Sequence, residues 1–157
     1  MGRTVATLPR FLRLRPLGVA ASAMAALAGV AAARAVRRVE VVGGSMTPAL
    51  LPGDRLVVVG RPFGPPAWPE PGEVVAVRDP REPSRVLVKR VARLDRASGT
   101  LEVLGDAPDH SSDSRDFGPV ARSALVGRAV YRYAPPARSS RGPWPAEYHR
   151  SDAQPQG

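Results

Sequence analysis

Cysteine is absent from the 157-residue chain. That excludes disulfides, thiolate metal sites and cysteine nucleophiles together. Lysine is almost absent: Lys89 stands alone against 22 arginines. Histidine occurs only at His110 and His149, so an imidazole base has two candidate positions. Acidic residues are missing from residues 1–38, which carry seven arginines, while residues 39–157 hold 16 cationic and 14 acidic residues. The excess of positive charge is therefore N-terminal and does not make the footprint of a nucleic-acid-binding face. Internal repeats are also lacking, and only one long uncharged apolar run occurs.

That run is Leu17–Ala33, LGVAASAMAALAGVAAA, 17 residues without a charge. A membrane span needs about 20 apolar residues, with about 17 as the lower limit, and Arg34 can snorkel to extend the usable length. Three readings compete: a single-pass anchor over residues 16–36, a cleaved secretory signal, or a buried soluble helix. The flanking arginines favour the anchor. Arg3, Arg10, Arg13 and Arg15 then place residues 1–15 in the cytoplasm and everything after about residue 38 outside it, at the plasma membrane.

Beyond residue 38 the chain alternates short β-like runs with Gly/Pro breakers. Val39–Val42, Arg55–Val59, Glu73–Arg78, Arg85–Ala92, Thr100–Leu104 and Leu125–Tyr133 read as strands. No helical period appears outside the apolar run. The expected fold is mainly β, a folded antiparallel sheet or barrel over residues 37–134, with one N-terminal transmembrane helix. Residues 135–157 are polar, Pro-rich and aperiodic, and read as a disordered tail.

Candidate chemistry begins at GGSMTPALL, where Ser45 follows two glycines. A serine attacks a carbonyl only when a base removes its proton. His110 is one candidate base. A neutral lysine is the other, and burial on an apolar face lowers a lysine pKa to that end. Lys89 lies in RVLVKRVA, where period-2 alternation sets it on one face with Leu87 and Val91 and puts Val86, Val88 and Arg90 on the other. Arginine cannot serve as such a base, because it does not deprotonate in proteins. A third segment, LGDAPDHSSDSRDFGPV over residues 104–120, reads as a surface loop. Its aspartates, Asp106, Asp109, Asp113 and Asp116, lack the glycine and terminal glutamate of an EF-hand loop. Asp106 and Asp113 can instead pair with Arg115.

Taken in order, GGSMTPALLPGDRLVV, RVLVKRVA and LGDAPDHSSDSRDFGPV resemble the sequence boxes of type I signal peptidases, membrane-bound Ser-Lys serine proteases. The likeness covers roughly residues 39–133, and the single anchor just before the serine box is similar to the short Gram-positive and mitochondrial-inner-membrane forms. It implies Ser45 as nucleophile and Lys89 as general base. Ser111 would orient the lysine amine, with Asp106, Asp113 and Arg115 as salt-bridged support. Met46 and Pro48 would shape the serine turn, and the Ser45 backbone N–H would be an oxyanion donor. Gly43 stands where some members carry a second hydroxyl donor, and Ala107 where the family usually has asparagine. Leu50 and Val88 would line shallow pockets for small substrate side chains. The implied substrates are exported preproteins with small residues before the cleavage site, cut at a lipid bilayer without metal or organic cofactor. Two alternatives remain: a dedicated leader-processing protease resembling those that mature nickel superoxide dismutase, and a non-catalytic membrane-tethered peptide-binding module.

Overall fold

The structure, a computed structural model, describes residues 16–61 and 66–145. The N-terminal arginines up to Arg15 and His149 lie outside the described residues. The first element is a helix, α1, over Pro16–Ala35. Eight strands follow: β1 (Val36–Glu40), β2 (Arg55–Val59), β3 (Val74–Arg78), β4 (Val86–Asp95), β5 (Thr100–Leu104), β6 (Val120–Ala121), β7 (Leu125–Ala134) and β8 (Ser140–Arg141), with a short helix α2 (Ser114–Phe117) before β6.

All eight strands belong to one antiparallel sheet in the order β1-β2-β7-β3-β4-β5-β6, with β8 added on β7. The expected mainly β, antiparallel architecture is what forms. Its sheet folds around two apolar clusters. One gathers Val41, Met46, Leu50, Leu56, Val58, Val74, Ala76, Ala129 and Trp144. The other gathers Val75, Val77, Leu87, Val91, Leu101, Val103, Val120 and Leu125. Successive residues of β3 point alternately into one cluster and the other, so Val74–Val77 is buried on both faces. That explains why β3 reads as an unbroken apolar run, whereas β2 and β5 show simple alternation.

Two expectations need correction. The apolar run is helical, but no helix among the described residues is long and apolar enough to cross a membrane. Within the expected span over 16–36, the described apolar side chains Met24, Leu27 and Val30 of α1 stand exposed. The expected disordered tail over 135–157 also starts too early. Residues 136–141 form a single turn and β8, and Trp144 is buried. Trp144 Nε1 donates to Ser140 Oγ (2.8 Å). Buried Arg132 donates to Asp54 Oδ2 (3.1 Å) and the carbonyls of Ala49 (3.1 Å) and Arg138 (2.5 Å). One large apolar ring and one multivalent cation thus hold the segment on the sheet. Residues 146–157 lie outside the described residues.

Candidate active site

Three segments converge beside β4. The first is the turn after β1. Thr47 N–H donates to the Gly44 carbonyl (3.0 Å) and Leu50 N–H to the Met46 carbonyl (2.8 Å). This tight winding drives Met46 and Leu50 into the core, both fully buried, and leaves Ser45 and Gly43 on the groove. Pro48 sits on the exposed side of the turn. Leu50 is thus a core residue and does not line the groove, contrary to expectation; the helical i, i+4 spacing turns it inward with Met46. Among the described residues the Ser45 backbone N–H donates to no acceptor, so it is free to meet a ligand oxygen.

The second segment is the start of β4. Lys89 is 3% exposed and flanked on its face by buried Leu87 and Val91, as the alternation predicts. β4 pairs with β3 along Val86–Arg90 but with β5 only from Arg90 onward. Along Val86–Lys89 the other edge of β4 therefore has no strand partner among the described residues. That free edge borders a groove of about 340 Å³ whose lining includes Val42, Ser45, Val86, Val88, Lys89 and His110. Ser45 and Lys89 share it, and among the described residues no hydrogen bond joins their side chains. Val88 lines the groove.

The third segment is the loop between β5 and β6. Lys89 Nζ donates to Ser111 Oγ (2.9 Å), and Ser111 Oγ donates to Asp113 Oδ2 (2.5 Å). Asp113 is fully buried and also accepts from Gly105 N–H (2.8 Å) and from Arg115 Nε (2.9 Å) and Nη2 (2.6 Å). It caps α2 as well: its side chain accepts the Arg115 N–H, and Asp116 accepts the Asp113 N–H. The spacing Asp-Ser-Arg-Asp is thus a helix-capping device that aims one carboxylate at Ser111. Asp106 does not join this network, contrary to expectation. It takes a bidentate pair from Arg90 Nε (2.8 Å) and Nη2 (2.6 Å), because Arg90 projects from the face of β4 opposite Lys89.

Burial pushes the Lys89 amine below its ordinary pKa. Asp113 opposes that shift, and the Arg115 and Arg85 cations add to it. Burial alone would raise the Asp113 carboxyl, but Arg115, the Gly105 N–H and the Ser111 hydroxyl outweigh it and hold Asp113 far below the usual carboxylate range. The groove therefore presents a hydroxyl and a depressed amine, with a carboxylate that stays ionised behind the amine.

Over residues 14–95 and 97–134 the sequence matches the family described as signal peptidase, peptidase S26. The chain belongs to that family. It is a peptidase family, and the antiparallel sheet around the groove is the architecture expected of its catalytic domain. The chain is also 31% identical over 125 residues to the mitochondrial inner membrane protease subunit 2 of Danio rerio, covering 68% of this chain and 67% of that protein. It is 28% identical over 113 residues to the mitochondrial ATP-independent inner membrane protease subunit 1b of Arabidopsis thaliana, covering 59% and 67%. With subunit 1a of the same plant it shares 36% over 85 residues, 41% and 51%.

Four residues that shape the groove in this family member escaped sequence reasoning. Gly105 is one. A Cβ there would fall 2.2 Å from Ser111 Oγ and 2.6 Å from the Ser45 carbonyl, so only glycine lets the loop close on the serine turn. The Ala107 N–H donates to that same Ser45 carbonyl (3.0 Å). Val42 and Val86 are exposed on the groove and give it an apolar rim. The Gly-Asp dipeptide was the available signal for Gly105; nothing in the sequence marks Val42 or Val86. Among the described residues no group of three His, Asp or Glu side chains is arranged to hold a metal ion.

Proposed function

We propose that this signal peptidase family member is a membrane-associated serine endopeptidase that removes leader peptides from exported preproteins, with Ser45 as nucleophile and Lys89 as general base. The observation that carries the reading is Lys89: a buried amine with a depressed pKa, on the groove that Ser45 shares, hydrogen-bonded to Ser111. In its neutral form Lys89 takes the Ser45 hydroxyl proton, and Oγ bonds to the substrate carbonyl carbon. The oxyanion receives the free Ser45 N–H. As the C–N bond breaks, the lysine ammonium returns its proton to the leaving amine. Water then attacks the ester as Lys89 takes its proton, and the ammonium passes that proton to Ser45 Oγ as the ester C–O bond breaks, restoring the hydroxyl and the neutral amine.

The substrate lies extended against the free edge of β4 at Val86–Lys89, where its backbone finds unpaired partners. Val42, Val86 and Val88 leave room for small side chains beside Ser45, as in Ala-x-Ala sites. The membrane part of the reading is supported by the exposed apolar side chains of α1 and by the relatives' names as inner membrane proteases. Here α1 is the contact with the bilayer.

The test is cleavage of a preprotein with an Ala-x-Ala site in detergent or lipid. Ser45→Ala and Lys89→Arg are each expected to lose on the order of 10²–10⁴-fold in kcat. Wild-type activity should rise with pH through the lowered Lys89 pKa, because only the neutral amine is a base. If Lys89→Arg cuts normally, the dyad is wrong and His110, on the same groove, becomes the candidate base.

A further inference from the structure

A second cleft of about 310 Å³ lies at the junction of α1 and β1. Its walls include Ala35, the last residue of α1, and four arginines: Arg37 on β1, Arg61 after β2, Arg78 at the end of β3 and Arg122 just before β7. Among the described residues no acidic residue lines it. Among the described residues none of these four forms an ion pair, although nine other arginines do. Arginine at these positions follows the composition of the chain. Leaving four of them together without a carboxylate does not, because gathered like charges repel unless an anion joins them.

Arg122 adds a second observation. Its guanidinium lies 4.9 Å from the centre of the Trp68 ring and donates from Nη2 to the Pro66 carbonyl (3.0 Å). Its Nε is shielded from solvent and meets no acceptor among the described residues. A stacked, partly satisfied guanidinium is a rigid fork for an oxyanion. The helix end does not oppose an anion here, since the Ala35 carbonyl already accepts from Gly60 N–H (2.7 Å).

We propose that this cleft binds the phosphate of an anionic phospholipid headgroup. The inference rests on the membrane part of the proposed function. With α1 in contact with the bilayer, the cleft at its C-terminal end lies at headgroup depth, and half-buried Trp68 is the ring type favoured there. The strand β1 runs from the cleft at Arg37 to the groove at Glu40, a few residues at about 3.3 Å each. A lipid held in the cleft thus fixes the height and tilt of the groove above the membrane.

The test uses the full chain in neutral detergent, titrated with phosphatidylglycerol or phosphatidylcholine, with bound lipid counted by native mass spectrometry. Wild type should hold phosphatidylglycerol more tightly than phosphatidylcholine. The triple variant Arg61→Gln/Arg78→Gln/Arg122→Gln should weaken phosphatidylglycerol by about five-fold per arginine, on the order of 100-fold in all. The charge-matched control Arg93→Gln/Arg96→Gln/Arg141→Gln should change it by less than about two-fold, since exposed charges away from the site act only diffusely. The N-terminal arginines are common to all three proteins and cancel. Equal weakening in both triples, or none in the first, overturns the proposal. So does complete displacement of the lipid by millimolar inorganic phosphate, which makes soluble phosphate the occupant. Arg61→Gln alone guards against misfolding: Arg61 is exposed, so affinity should fall about five-fold with the melting temperature unchanged. An unchanged affinity in that variant also overturns the proposal. A wild type that binds phosphatidylglycerol selectively but cuts nothing sinks the proposed catalysis and leaves the cleft standing. A wild type that cuts without lipid preference sinks the cleft alone.

Discussion

Replacing Asp113 with asparagine removes one charge and keeps the shape of the side chain. Its consequences follow from the direction of two hydrogen bonds. The Ser111 hydroxyl has one proton and gives it to Asp113 Oδ2 at 2.5 Å, so its oxygen can only accept from Lys89 Nζ at 2.9 Å. A neutral amine that donates one N–H to Ser111 keeps its lone pair free for the Ser45 proton. An asparagine amide at the Oδ2 position donates to Ser111 instead, and the released hydroxyl proton can turn onto the lysine lone pair. Breaking that bond to free the base costs about 1–1.5 kcal/mol, or about tenfold in kcat. The second effect has the opposite sign. Asp113 favours the charged form of Lys89, so without it the pKa falls further, in the same direction as burial, Arg115 and Arg85. The acid limb of the kcat/KM profile should therefore move to lower pH while the plateau drops about tenfold.

The assay is kcat/KM against pH for wild type and Asp113→Asn on one preprotein. A limb that stays in place or moves to higher pH refutes the electrostatic reasoning, because mere disorder lowers the plateau without lowering the lysine pKa. Stability changes too. Asp113 accepts charge-assisted bonds from Arg115, Gly105 and Ser111. The Arg115 side chain is 43% exposed, so its share is discounted for solvent screening. The net loss should be about 2–3 kcal/mol, read from the urea midpoint. Since the folded pKa of Asp113 is depressed, its stabilisation is full above the unfolded value of about 3.9 and is lost as pH falls below it. The asparagine variant should lack that acid-dependent decline.

Gly105→Ala should place a methyl against Ser111 Oγ and the Ser45 carbonyl, costing about 1–3 kcal/mol and on the order of 10²-fold in kcat as the site shifts. Thermal melts and cleavage rates check it, and a fully active Gly105→Ala would mean the loop does not close this tightly. Gly43→Ser meets open space, with nothing within 4 Å of the new Cβ. Its stability should change by less than about 0.5 kcal/mol and kcat/KM should not fall, since the hydroxyl stands near the oxyanion donor; a steep fall would show that substrate occupies that space. Trp144→Ala should lose about 3–5 kcal/mol in denaturant unfolding but leave the pH limb in place, because Trp144 and Lys89 border different apolar clusters. A loss below about 1 kcal/mol would return residues 135–145 to the tail.

The sheet was legible where strands are long enough to show a period. β2 and β5 match their expected bounds, β3 is displaced by one residue at its start, and the apolar face of Lys89 follows from alternation alone. The two-residue strands β6 and β8 carry no period and could not be read. β1 begins three residues earlier than the expected Val39, because the α1 helix passes directly into it through the exposed Arg37 and Arg38. The folded part of the tail depends on Arg132 meeting Asp54 across 78 residues of sequence, a contact that composition cannot announce. Asp106 was misassigned for a similar reason: sequence proximity favoured Arg115, while strand pairing delivered Arg90. Leu50, which the resemblance implies as a pocket residue, is wound inward by the turn, a consequence of local hydrogen bonding that the motif does not show.

The single lysine gains its meaning from the packing around it. This chain uses arginine for every other basic residue apart from its two histidines. An arginine at position 89 would stay charged between Leu87 and Val91, and burying such a charge costs several kcal/mol even after relaxation. A lysine lowers that cost by giving up its proton more readily, so burial shifts Lys89 toward the neutral amine. Asp113 limits the effect, since its carboxylate draws the proton back, and Arg115 in turn screens Asp113. The pKa of the amine is thus set by a balance between apolar packing on β4 and one ionised carboxylate in the loop. Loosened packing at Leu87 or Val91 admits water and raises the lysine pKa, whereas loss of Asp113 lowers it. The stability of the sheet and the pH at which the amine becomes a base are therefore two readouts of one set of contacts.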